Sequence, residues 1–288
     1  MEKKNYIIAI LCSLFANFNL SVMNVMIGQM PYEIEVYSLL FFQMVFGSVF
    51  LFLWVFRKGG SVVKTSCLHL HLVRGVVAVF SMYCFYTSLK SLSSVDAVLL
   101  KSTTPFFVPL LSMLLIKEAI FPLTWLLIGV GFIGVYLVIG PLHETLTVAH
   151  GLALLGAIGF AFMIVSVNRL RKTQTPEQIV LYSNLTVLCC LFPFVLYQKI
   201  YFFYEMILVL VLLGLFFALA QVFLILAYSF SKPGRLSPFI FSEFIFTSLI
   251  MQLFFKAHLT PKALLGVCFI FFGAVAMFIR ESRLKSMT

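Results

Sequence analysis

A lysine and a glutamate stand where the surrounding sequence offers them nothing. Lys101 interrupts the apolar stretch "DAVLLKSTTPFFVPLL" (96–111), and Glu243 interrupts "SPFIFSEFIFTSLI" (237–250). An ionisable side chain in such surroundings is costly and marks a functional site by default. An ammonium can hold a carboxylate, and a carboxylate can hold an ammonium or another cation. Together the two suit a small zwitterion. Tyr83, Tyr86 and Tyr228 supply rings that stack on flat groups and favour cations. Thr104 and Gln221 add polar groups, and so do Asn17 and Asn24. With Ser13, Ser21 and Gly28, the two asparagines follow the spacing i, i+4, i+8, i+11, i+15, which is one helical face. Two plainer readings compete. Lys101 lies about 9 Å from the outer interface, within reach of a snorkelling stem. The asparagine face could be glue between helices, because asparagine in hydrocarbon needs a partner.

Composition says what kind of element holds these residues. Of 288 residues, 62% are hydrophobic and 10% charged, and the mean hydropathy is +1.10. Soluble domains run near 45–50% apolar and about 25% charged. The chain therefore reads as a polytopic membrane protein. Runs of about 20 apolar residues fall at 6–29, 36–56, 70–91, 95–116, 122–141, 149–169, 177–197, 204–230, 236–255 and 261–280. They are continuous rather than alternating, so the expectation is helices and not a barrel. The first run shows no convincing cleavage site and is read as a retained span. With the N-terminus inside, fifteen of the 20 Lys and Arg fall on the inner side and five on the other. That places both termini in the cytoplasm, at the cell inner membrane.

The same pattern excludes several classes. A net charge of +10 suggests nucleic acid, but the basic residues sit in short connections and form no patch. No nucleic-acid partner is expected; the expected partners are a small-molecule substrate and membrane lipid. Six cysteines without paired spacing suggest neither disulfides nor a metal site. "GVGFIG" (Gly129, Gly131, Gly134) fits a nucleotide fingerprint but follows no strand, so close helix packing explains it better. His69 and His71 read as the interfacial flank of a span, and His143 and Glu144 sit in a short outer loop with nothing to complete a site. No cofactor and no catalytic residue is expected. One Asp (Asp96) and five scattered His argue against a lipid-modifying membrane enzyme, and no ring of charges suggests a channel.

The chain also repeats itself. At an offset of 142, Tyr86 falls on Tyr228 and Lys90 on Lys232. At an offset of 139, Lys117 falls on Lys256, Pro122 on Pro261 and Gly134 on Gly273. Each half holds five spans, and an odd number makes the halves enter the membrane in opposite directions, as in inverted-repeat carriers. The first offset also carries Lys101 onto Glu243. Inversion sets the two charges on opposite sides of the midplane, each roughly 5 Å off-centre and so about 10 Å apart along the normal. That gap argues against an assured direct ion pair.

Two stretches, 73–118 ("VRGVVAVFSMYCFYTSLKSLSSVDAVLLKSTTPFFVPLLSMLLIKE") and 213–246 ("LGLFFALAQVFLILAYSFSKPGRLSPFIFSEFIF"), resemble the drug/metabolite transporter superfamily with two EamA-type halves. Arg74, Ala97, Leu100, Pro105 and Glu118 match its pattern, whereas Lys101 departs from it. The resemblance implies an all-α membrane protein of ten transmembrane helices, arranged as two inverted five-helix EamA repeats at 1–145 and 146–288. It implies a secondary transporter, not an enzyme, with a central site walled by spans 1, 3, 4, 6, 8 and 9. S-adenosylmethionine, a zwitterion with a sulfonium, is one substrate the resemblance suggests, with exchange as one mode of uptake. Export of amino acids or drugs is the alternative.

Overall fold

The structure is a computed structural model that describes residues 2–56, 65, 67–117, 122–139, 147–170, 173–197, 206–230, 236–256 and 261–284. Among these residues every regular element is a helix. The helices are α1 (Glu2–Gly28), α2 (Val36–Phe56), α3 (Leu68–Ser91), α4 (Ser94–Lys101), α5 (Thr104–Ile116), α6 (Pro122–Ile139), α7 (Val148–Leu170), α8 (Pro176–Tyr197) and α9 (Ile207–Phe230). A 3₁₀ turn (Ser237–Phe241) then leads into α10 (Ser242–Phe255), and α11 (Pro261–Leu284) follows. Seven segments are long and apolar enough to cross a membrane, and Pro122–Leu137, Phe239–Phe255 and Leu264–Gly273 form shorter apolar helices. Glu118, His143, Glu144 and Lys232, and the side chain of Tyr228, lie outside the described residues.

The fourth apolar run does not form one helix. α4 ends at Lys101 and α5 begins at Thr104. Pro105 has no N–H to give the Lys101 carbonyl four residues back. Thr104 Oγ1 donates to that carbonyl instead, at 2.6 Å. Thr103 Oγ1 caps Leu100 O at 2.6 Å, and Ser102 Oγ caps Val98 O at 2.8 Å. The sequence "KSTTP" is thus a self-capped break inside hydrocarbon, where an unsatisfied carbonyl would cost several kcal/mol. The start of α4 is fastened as well. Ser93 Oγ accepts from Asp96 N and donates to Asp96 Oδ2 at 2.6 Å, a reciprocal cap that uses the chain's one aspartate.

The most extensive helix contacts join the first half of the chain to the second. α1 lies on α9, α3 on α7, α2 on α9, α3 on α8, and α6 on α11. The contact of α6 with α11 is reciprocal. A Cβ on Gly134 would stand 2.6 Å from Gly266 O and 2.9 Å from Ile270 N, and one on Gly273 would stand 3.0 Å from Leu127 O and 3.3 Å from Gly131 N. Raising one member of each pair by 139 and lowering the other by 139 turns it into its counterpart. The same offset joins Lys117 and Lys256, the C-caps of α5 and α10, which are the non-glycine residues with positive φ (59° and 53°) among those described. Their cap N–H groups bond Ser112 O and Met251 O, again 139 apart.

Candidate functional site

The break between α4 and α5 sets Lys101 at the end of a helix rather than midway along one, and the 3₁₀ turn ending at Phe241 sets Glu243 in the first turn of α10. The two side chains meet. Lys101 Nζ donates to Glu243 Oε1 at 2.6 Å. This corrects the expected separation of about 10 Å. That expectation compared backbone levels, and the long lysine stem spans the difference. Lys101 turns inward to its partner and does not reach for the outer interface.

The pair is enclosed unequally. Glu243 is 4% exposed, while the Lys101 side chain keeps 17%. Asn24 Nδ2 donates to the same Oε1 at 2.7 Å. Two short, charge-assisted bonds therefore share one oxygen, and Oε2 accepts none from the described residues. Asn24 is fully buried, and its Oδ1 is a buried acceptor without a partner among the described residues. The lysine ammonium stands 4.8 Å from the centre of the Phe85 ring and 5.2 Å from that of Phe160. Both lie within cation–π range. Thus α1, α3, α4, α7 and α10 each give one side chain to the cluster: Asn24, Phe85, Lys101, Phe160 and Glu243.

The polar face of α1 serves this cluster mainly as a fastening. Asn17 Nδ2 donates to Phe239 O at 2.7 Å and to Ser242 Oγ at 3.0 Å. Ser21 Oγ reaches Glu243 O at 2.7 Å. These bonds hold the 3₁₀-to-α junction and so aim Glu243. Gly28 gives room to Ser94: a Cβ there would stand 3.2 Å from Leu89 O and collide with the Ser94 hydroxyl. Of the five-residue face, Asn24 alone touches a charge.

Other expected residues lie elsewhere. Tyr86 is 2% exposed, and its hydroxyl donates to Gln43 Oε1 at 2.9 Å, so its ring is core material rather than a stacking surface. Tyr83 is 45% exposed, on the stripe of α3 that carries Leu72, Val76 and Phe80, and not on the buried face with Phe85. Thr104 is buried as the cap of the Lys101 carbonyl. Gln221 is half-buried on α9, the helix of the eighth run. His71 is fully buried against Tyr182, ring centres 4.8 Å apart, with both ring nitrogens unpaired among the described residues. Arg74, beside it, donates to Ser183 Oγ. Sequence reasoning missed Phe85 and Phe160. With 34 phenylalanines in the chain, no single one carries a signal.

A model described as the EamA-like transporter family matches twice, over 6–140 and 147–279. The chain is similar to the S-adenosylmethionine uptake transporter of Rickettsia felis, 24% identical over 286 residues, covering 99% of this chain and 96% of the relative. It is 28% identical to the riboflavin transporter of Brucella anthropi, over 69% of this chain and 72% of that one. It is 26% identical over 174 residues to the pseudopaline exporter CntI of Pseudomonas aeruginosa, and that match spans 61% of the exporter's length. A solved crystal structure matches with a TM-score of 0.66 at 15% identity, over 98% of this chain and 99% of its own, which shows the shared fold.

Proposed function

We propose that this chain, which belongs to the EamA-like transporter family, is a secondary carrier for a small zwitterion that binds by opening the Lys101–Glu243 pair. The protein is a multi-pass membrane transporter and not an enzyme. The finer reading is a ten-span, inverted-repeat carrier with halves 1–145 and 146–288 and both termini in the cytoplasm of the plasma membrane. The reciprocal Gly134 and Gly273 contacts and the paired left-handed caps support the inversion.

One observation carries the substrate class: the buried ion pair at 2.6 Å. An amino-acid head group has the same two charges and can replace each member of the pair for the other. Its carboxylate takes Lys101, and its ammonium or an attached sulfonium takes Glu243 beside the Phe85 and Phe160 rings. Asn24 Oδ1, an unpaired acceptor beside Glu243, would accept from that ammonium. A buried acceptor without a donor costs about 1–3 kcal/mol, so a ligand that supplies one gains affinity. S-adenosylmethionine carries all these groups, and the relatives named for its uptake run the length of the chain. Import is preferred on that ground; export, as in the pseudopaline relative, is the alternative.

A thermal-shift screen of the purified protein against amino acids, nucleosides and S-adenosyl compounds tests this reading. Compounds bearing an amino-acid head raise the melting temperature of the wild type and leave Glu243→Gln unmoved. Stabilisation by riboflavin or plain nucleosides instead would sink the zwitterion reading.

A further inference from the structure

We infer that Lys101 is a tethered counter-ion that stands in for the substrate's cation and lets the empty carrier change sides. The inference rests on the carrier reading above and adds how the cycle closes without substrate.

A carrier that alternates access passes, in each half-cycle, through a state closed to both sides. Glu243 is already 4% exposed in the structure. An ionised carboxylate enclosed there without a partner carries a penalty of several kcal/mol. With substrate bound, the substrate's cation cancels that charge. Without substrate, the charge must be cancelled from within or the empty protein stalls on one side. Lys101 does this: its ammonium sits on Oε1 at 2.6 Å and between the Phe85 and Phe160 rings. A carboxylate and two aromatic faces are the surroundings an organic cation seeks. The protein fills them with a cation of its own.

The geometry says which partner yields. Glu243 is held from α1 and from within its own helix. Asn24 bonds its side chain, Ser21 and Thr247 reach its carbonyl at 2.7 and 2.8 Å, and Asn17 ties the turn before it. The Lys101 ammonium has one hydrogen-bond acceptor among the described residues, and its side chain is the more exposed of the two, 17% against 6%. Its carbonyl is fixed by Thr104, which leaves the four-carbon stem to swing. Lys101 therefore withdraws when substrate arrives and returns when substrate leaves. The carrier then performs net transport and is not restricted to exchange.

The test needs no substrate. Glu33→Cys and Lys256→Cys, exposed sites in opposite halves, carry a dye pair in a background whose native cysteines are serine. Single-molecule energy transfer is recorded in substrate-free proteoliposomes at alkaline pH, so that a proton does not replace the lysine. The parent protein is expected to show two exchanging distances. Lys101→Met and Lys101→Gln are expected to slow that exchange by roughly tenfold or more, a small share of the buried-charge penalty. Lys101→Met/Glu243→Gln, which removes both charges, is expected to restore it, which also shows that the methionine is tolerated. Exchange at the parent rate in both single variants, or no recovery in the double variant, overturns the inference while the carrier reading stands. One fixed distance in every protein, the parent included, overturns the carrier reading and the inference with it.

Discussion

Among the described residues two lysines turn into the helix packing, Lys90 buried and Lys101 half-buried, and their surroundings differ in kind. Lys90, at the end of α3 and 8% exposed, gives its ammonium to backbone carbonyls: Pro31 at 2.7 Å, Tyr32 at 3.3 Å and Ile34. Lys101 gives its ammonium to one side-chain carboxylate. Backbone acceptors cannot leave without unmaking the turn between α1 and α2, so Lys90 is a rivet. A carboxylate and a swinging stem can part with no change in the backbone, so Lys101 is a latch. The comparison shows that burial of a charge does not identify a site. What identifies it is whether the partner is itself a charge and whether a ligand of ordinary chemistry could take its place.

The sharpest way to break this contrast is to remove each latch partner. Lys101→Ala and Glu243→Ala are each expected to take uptake to background while the purified protein stays monodisperse. Each variant also loses thermal stability, since stripping one member of a buried pair costs about 3–5 kcal/mol. Normal uptake by both would end the site assignment. Lys90→Met is expected to cost about 1–3 kcal/mol through unpaired carbonyls, with uptake per folded molecule retained. Lost uptake at full stability would make the two lysines the same kind of residue. Gly134→Val and Gly273→Val sharpen the inverted-repeat reading. Their facing contacts are reciprocal, so each should cost a similar amount, about 1–3 kcal/mol of overpacking, read from melting curves. Very unequal losses would argue against a pseudo-two-fold contact. Thr104→Val is expected to cost about 1 kcal/mol, because it uncaps the Lys101 carbonyl, and to lower uptake through a looser Lys101 backbone. The smallest effect belongs to Tyr83→Phe. Its exposed ring lies away from the pair, so stability should change by less than about 0.5 kcal/mol and uptake not at all.

Much of this was legible in the residues, and the reasons are physical. Two charges in hydrocarbon cannot be incidental, so Lys101 and Glu243 announced themselves. The period of Ser13, Asn17, Ser21, Asn24 and Gly28 gave one face of α1, and that face does contact the second half. Gly129, Gly131 and Gly134 read as close-packing sites; Gly131 and Gly134 are, whereas a Cβ on Gly129 would meet nothing within 4 Å. The direct ion pair was not foreseen, because a repeat offset relates backbone positions and says nothing of how far a side chain reaches. Tyr86 was expected to offer its ring to a substrate, but it is buried with its hydroxyl on Gln43, while its neighbour Phe85 turns to the Lys101 ammonium. Neighbours on a helix point about 100° apart, and sequence does not choose between them. The burial of His71 was not foreseen, because a basic, histidine-rich connection reads as exposed, yet α3 already begins at Leu68.

The account stands or falls on whether the ion pair is where substrate binds. Counterflow settles it most directly: proteoliposomes are loaded with unlabelled S-adenosylmethionine and given trace label outside. Wild-type protein is expected to accumulate label transiently above equilibrium, and Glu243→Gln, folded and reconstituted to the same density, is expected to show none. Equal accumulation in both would contradict the central claim, since a carrier indifferent to that carboxylate does not bind its substrate at the Lys101–Glu243 pair.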